Sequence, residues 1–190
     1  MARIPDPTLR ATILNAARTI FKQKGFSDAR ISDIASEAGV AVGTIYLYFK
    51  TKEALAIGLA EELNKRILNE SIPLLTEGSF AAAIDLSARK TLEICRIDRD
   101  LILMVHLQMS MADISEPCAT DIELMQTLVA ILESRIQRGE AKSYNPAILA
   151  TMIIGLMERA ALTHFLSDES ELPLLEETLV KFLQNALVAE

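Results

Sequence analysis

Apolar residues recur with helical spacing from near the start of the chain. Ile13, Ala16, Ala17, Ile20 and Phe21 fall at i, i+3, i+4, i+7 and i+8, on one face of a helix. Asp6-Pro7 opens that helix, as a capping residue followed by proline at the first helical position, and Gly25 closes it. A short helix is expected over Ile31–Ala38, with Ile31, Ile34, Ala35 and Ala38 inward and Gly39 as its stop. Another covers Val42–Tyr48. Thr51 can cap a long helix reaching about Asn69, in which Leu55, Leu59, Leu63 and Ile67 recur every four residues.

Beyond this the pattern predicts helices over Phe80–Arg96, Asp98–Met111, Pro117–Arg138, Pro146–Leu166 and Pro173–Val188. Gly139 ends the third of these, and Asn145-Pro146 starts the fourth. No internal repeat, low-complexity segment or strand pair with a tight turn interrupts the series. The expected fold is all-α, with about nine helices.

Composition agrees with this picture. The 190 residues are 51% hydrophobic with only 7 Gly and 6 Pro, which favours helix and allows a sizeable core. The net charge of −7 argues against a protein that binds nucleic acid over its whole surface. The charge is unevenly spread: +3 over residues 1–55 (8 Lys and Arg against 5 Asp and Glu) and −10 over residues 56–190 (11 against 21). A basic head precedes an acidic body, so a polyanion should meet the head.

The start, MARIPDPTLR, has no apolar signal region. The charge-free stretch Ala147–Met157 is too short to cross a bilayer and fits a buried helix. A soluble cytoplasmic protein is the expectation. Cys95 and Cys118 have neither CxxC nor metal-ligand spacing and read as buried free thiols. No metal site or cofactor is expected.

The segment AVGTIYLYFKTKEAL, residues 41–55, mixes tyrosines and lysines with large apolar groups. Two short helices around Gly39 make a helix-turn-helix, in which the second helix enters the DNA major groove. Ile45 and Phe49, four apart, supply the apolar back of that helix. Gly43, Thr44 and Leu47 lie on other faces, within reach of bases, and Gly43 allows close approach of the backbone. Tyr46 and Lys52 suit phosphate oxygens.

Over Arg10–Leu55 the chain resembles the DNA-binding domain of the TetR family of bacterial transcriptional regulators. The pattern that carries the likeness is IA-x-x-AGVA-x-GTIY-x-YF-x-x-K-x-x-L. The resemblance implies a helix-turn-helix domain over residues 1–50. It also implies a variable helical effector-binding and dimerisation domain over 51–190. It further implies that Gly43 and Thr44 open the recognition helix, that Ala41 and Val42 form its tip, and that Tyr46 and Lys52 contact phosphate. The family function would be a homodimer on a palindromic operator, a repressor released by a small molecule that moves the fourth helix.

Two departures matter. Ala41 and Val42 stand where many relatives have polar residues, and Ala29-Arg30 stands where many have a hydroxyl pair. Arg30 is therefore expected to take the phosphate contact. Val42, which cannot hydrogen-bond a base edge, should pack on thymine methyls. Arg3 could reach a minor groove, although a free terminal residue is the plainer reading.

In the acidic body, LILMVHLQMSM (residues 101–111) is a Met-rich wall with two polar groups. It nominates Met104, His106, Gln108 and Met111 as pocket residues, with Glu158, Arg159 and His164 adding polar groups from a later helix. The implied effector is mostly apolar. Leu175, Leu179, Phe182 and Ala186 form a stripe that, with Gly155 on the preceding helix, is expected to build a two-fold four-helix interface. An enzyme is not expected, because no nucleophile elbow, metal spacing or phosphate loop accompanies the histidines and cysteines. A helical binding module with degenerate DNA binding stays open as the alternative.

Overall fold

A computed structural model of the chain describes residues 6–97, 118–166 and 172–189. Eight α-helices lie among them: α1 (Pro7–Asp28), α2 (Ile31–Glu37), α3 (Val42–Tyr48), α4 (Lys52–Arg66), α5 (Phe80–Ile97), α6 (Ala119–Gln137), α7 (Pro146–Leu166) and α8 (Leu172–Leu187). The helix expected over Asp98–Met111 lies outside the described residues, as does Arg3. The described residues contain no strand, only an isolated antiparallel bridge between Ala141 and Val188.

Local chemistry sets the boundaries. The Asp6 carboxylate accepts from the Thr8 N–H (2.9 Å), and the Thr51 hydroxyl accepts from the Ala54 N–H (3.1 Å). Asn145 accepts from both Ala147 and Ile148 N–H groups (3.1 Å each). Gly25 breaks α1 with φ 74° and ψ 166°, a region closed to side-chain-bearing residues, and one further turn follows before Ala29. The long fourth helix departs from expectation at its end. It passes at Arg66 into a π-turn over Ile67–Ser71 and then into a 3₁₀ turn over Ile72–Thr76. The buried Ser71 hydroxyl explains where the polar group goes: it donates to the Ser87 carbonyl (2.8 Å) and lies 3.0 and 2.6 Å from the Ser87 and Thr91 hydroxyls.

The chain divides into two compact units, with the division after Glu62, inside α4. The expected boundary at residue 50/51 falls before that helix. The first three turns of α4 therefore pack with the N-terminal unit, whose core contains Ile13, Leu14, Ala17, Ile34, Ile45, Phe49, Leu55 and Leu59. Arg10 and Arg18 of α1 pair with Glu61 and Glu62 of α4 at 2.8 and 3.5 Å.

Gly58 is the close contact of this unit. A Cβ there would stand 2.8 Å from the Phe49 ring and 3.1 Å from Leu14. Gly58→Ala should therefore destabilise the protein, although alanine is worth about 1 kcal/mol over glycine in an open helix. Overpacking against a buried ring costs about 1–3 kcal/mol. A urea midpoint higher than wild type would show that Phe49 yields freely.

The second unit holds α5 to α8 and the end of α4. Its core includes Phe80, Ile84, Leu92, Leu128, Leu132, Ala150, Ala161, Val180 and Leu183. Cys95 is buried, and Cys118 is half-buried beside the Thr120 hydroxyl (3.1 Å).

Candidate nucleic-acid interface

The orientation of α3 is set by its packing and by the turn before it. Its seven residues present one apolar edge inward, with Ile45 fully buried and Phe49 following as C-cap. Gly39, at φ 67°, turns the chain between α2 and α3, and the Val40 N–H donates back to Ala35 (3.0 Å). With that edge fixed, the other residues face solvent. Ala41, Val42, Gly43, Tyr46 and Leu47 are exposed, Leu47 to 72%, and Thr44 is half-buried. Exposed Val42, Tyr46 and Leu47 on one short helix have no folding rationale and suit a partner surface.

The start of α2 is capped without the missing hydroxyl. Asp33 reaches back to accept from the Arg30 N–H (3.3 Å), and Lys24 holds Asp33 at 2.8 Å. The Lys24 hydrogen bond keeps the Asp33 carboxyl below its usual range, against partial desolvation. The backbone is capped without help from residue 29, whose methyl is buried. The exposed Arg30 side chain is left for an outside anion.

Tyr48, ambiguous from sequence, belongs to the unit's own frame: its hydroxyl accepts from the Asp6 N–H at 2.9 Å. Lys52 is placed unexpectedly. Its ammonium donates to the carbonyls of Phe26 (2.6 Å), Ser27 (3.1 Å) and Ala29 (3.1 Å) and stands 4.6 Å from the centre of the Phe26 ring.

Met104, His106, Gln108 and Met111 lie outside the described residues, and so does the His164 side chain. Glu158 and Arg159 are exposed on α7. A groove of about 830 Å³ between α5 and α8 is lined by Asp85, Arg89, Arg96, Glu176, Glu177 and Lys181 among others. Leu172, Pro173 and Val180 add an apolar part, but six charged side chains make it a poor match for a mostly apolar effector.

The expected interface residues divide. Leu179 is buried within its own chain, Leu175 and Ala186 are half-buried, and Phe182 is 59% exposed. Gly155 is exposed, with no atom within 4 Å of where a Cβ would stand. α7, expected to be buried, is only 28% buried over Pro146–Thr163, a window long and apolar enough by composition to cross a membrane. Ile148 and Met152 are exposed on it, as are Leu174 and Phe182 on α8. Sequence spacing did not separate Leu179 from Phe182, because both lie on the apolar half of α8.

The geometry defines a class: a helix-turn-helix unit with an outward-facing recognition helix, followed by a helical unit with an uncovered apolar face. Residues 13–59 match the family described as "Bacterial regulatory proteins, tetR family". An uncharacterised HTH-type transcriptional regulator of Bacillus subtilis, YvdT, is 28% identical over 183 residues, covering 92% of this chain and 93% of the relative. The fatty acid metabolism regulator protein of the same organism is 28% identical over 181 residues, covering 92% and 93%. A crystal structure of the Bacillus subtilis transcriptional regulator FadR in complex with stearoyl-CoA superposes with a TM-score of 0.71 at 25% identity, covering 91% of this chain and 96% of that one. The chain is thus similar to this family over residues 13–59, and to an HTH-type transcriptional regulator over nearly its whole length.

Proposed function

We propose that this protein is a cytoplasmic repressor that binds a palindromic operator as a homodimer and is released by a mostly apolar small molecule. The observation that carries the reading is α3, where Ile45 and Phe49 are buried while Val42, Gly43, Tyr46 and Leu47 face outward. A helix this short reads only a few base pairs, so useful affinity needs two copies on two half-sites. The uncovered residues Ile148, Met152 and Gly155 of α7 and Phe182 of α8 supply a face for the second copy. That face belongs to a helix whose other side, including Leu149, Ala150, Ala160 and Ala161, packs into its own unit. Such one-sided exposure suits a protein partner better than lipid.

Ala41, Val42, Gly43, Thr44 and Leu47 address bases, with Val42 on thymine methyls, while Arg30 and Tyr46 hold phosphates. The residues proposed for the effector site are those the sequence pattern nominates, Met104, His106, Gln108, Met111 and Glu158. The stearoyl-CoA complex of the FadR relative makes long-chain acyl thioesters the first effectors to test. Ligand and operator must weaken each other equally, since coupling between sites is reciprocal.

The test is selection from a random duplex pool, followed by salt titration on the recovered sequence. A palindrome rich in A·T pairs is expected. Arg30→Ala should flatten the salt dependence by about one unit without changing the preferred sequence. A pool that enriches nothing would remove the DNA-binding reading and favour a binding module with a degenerate head.

A further inference from the structure

Three carbonyls within four residues, those of Phe26, Ser27 and Ala29, converge on the single ammonium of Lys52. An ammonium has three N–H donors, and here each has a carbonyl, with the Phe26 ring 4.6 Å away. The bend that supplies them begins at Gly25, whose φ of 74° turns the backbone out of the helix. It ends at Ala29, the residue before Arg30. A phosphate could take Lys52 only by displacing one of those carbonyls, and α1's last turn would lose the cation that satisfies it.

We propose that Lys52 is a positioning residue: it holds the 26–29 bend, and through it presents the Arg30 guanidinium to the DNA backbone, without itself being a phosphate ligand. The chemistry fits. A compact charge at the end of a helix, anchored from the first turn of α4, fixes the direction in which the next residue leaves. The Asp33 carboxylate accepts from the Arg30 backbone N–H and attracts its guanidinium only through space, as the last of the influences on that carboxyl, so the side chain stays exposed. Its aim is therefore set from behind, by Lys52. This rests on the reading that Arg30 contacts phosphate.

The experiment uses the full chain and generic duplex DNA, since phosphate contacts do not depend on sequence. Affinity is measured against salt for wild type, Arg30→Ala, Lys52→Met, Lys52→Gln and the Arg30→Ala/Lys52→Met double variant, with thermal melts alongside. Glutamine keeps amide donors for the carbonyls but carries no charge. Expected are a slope reduced by about one unit in Arg30→Ala, in Lys52→Met and in the double variant alike, and a wild-type slope in Lys52→Gln.

A double variant that loses about two units, with Lys52→Gln losing about one, would make Lys52 a direct ligand and overturn the proposal. A lowered melting temperature with wild-type slope and affinity in Lys52→Met would reduce it to a purely structural role. An unchanged slope in Arg30→Ala would instead remove the Arg30 contact, and the proposal with it. If Lys52→Met does not fold, Lys52→Gln decides alone.

Discussion

Phe182→Asp should give a folded monomer whose operator affinity is weaker by about a hundred-fold or more. The ring is 59% exposed on α8 of the isolated chain, so the substitution leaves the internal core residues Leu179, Val180 and Leu183 untouched. In the proposed homodimer, a carboxylate in this face would be buried against the second copy without a compensating charge. Each recognition helix keeps its contacts, but the second half-site is no longer delivered as an intramolecular event, and linked binding of this kind is worth about 10²–10⁴-fold. Sedimentation reports the oligomeric state and titration of the selected operator reports the affinity. A dimeric variant with wild-type affinity would place the interface elsewhere. A Met152→Asp variant, on exposed α7, should reproduce the loss.

Arg135→Ala should destabilise the protein by about 3 kcal/mol or more, since each polar group left without its donor costs about 1–3 kcal/mol where water cannot replace it. Arg135 is 0% exposed. Its Nε and Nη2 donate to the Leu75 carbonyl at 3.1 and 2.7 Å, Nη2 also to Glu77 at 3.2 Å, and Nη1 to Gly78 at 3.1 Å and to the Glu140 carboxylate. The Phe80 ring lies 5.3 Å from Cζ. Alanine would remove the donor of three carbonyls at once, leave Glu140 only Arg138 at 3.5 Å, and release the turn that leads into α5.

Lysine should rescue little, since a point charge cannot serve a planar fork. Urea unfolding checks this, with a lowered midpoint at unchanged slope as the expected result. A loss below about 1 kcal/mol would mean that water replaces the guanidinium.

The same pair sets an acid limb. The Arg135 hydrogen bond holds the Glu140 carboxyl below its ordinary range, more than desolvation raises it, with Arg138 helping. A depressed carboxylate contributes stability that is complete above its unfolded value and is lost as pH falls through the folded one. Arg135→Ala should flatten the stability curve in that acid region and leave the neutral plateau uniformly lower.

Arg135 also shows how far the sequence can be read. The stripe Leu124, Leu128, Leu132 runs along α6 at four-residue steps and continues to Arg135 three residues on. That spacing puts a charged residue on the buried edge. It could not say what satisfied it, because the accepting carbonyls are 57 to 60 residues away. Gly58 is similar. In sequence it is a weak point within a helical run, and only the packing of Phe49 and Leu14 shows why a side chain does not fit. Tyr48 could not be assigned until its hydroxyl was found on the Asp6 N–H, 42 residues distant.

By itself the sequence determined the eight described helices to within a few residues at most ends, the caps at Asp6, Thr51 and Asn145, the turn at Gly39 and the residues of α3 that face inward. These depend on periodicity and on backbone chemistry within a few residues, which any reading of spacing captures. Tertiary structure alone decided that Lys52 closes the end of α1, that Arg135 organises the turn before α5, and that Phe182 is uncovered while Leu179 is not. Those outcomes depend on which distant groups meet, and an apolar stripe or a lone cation carries no record of its partner.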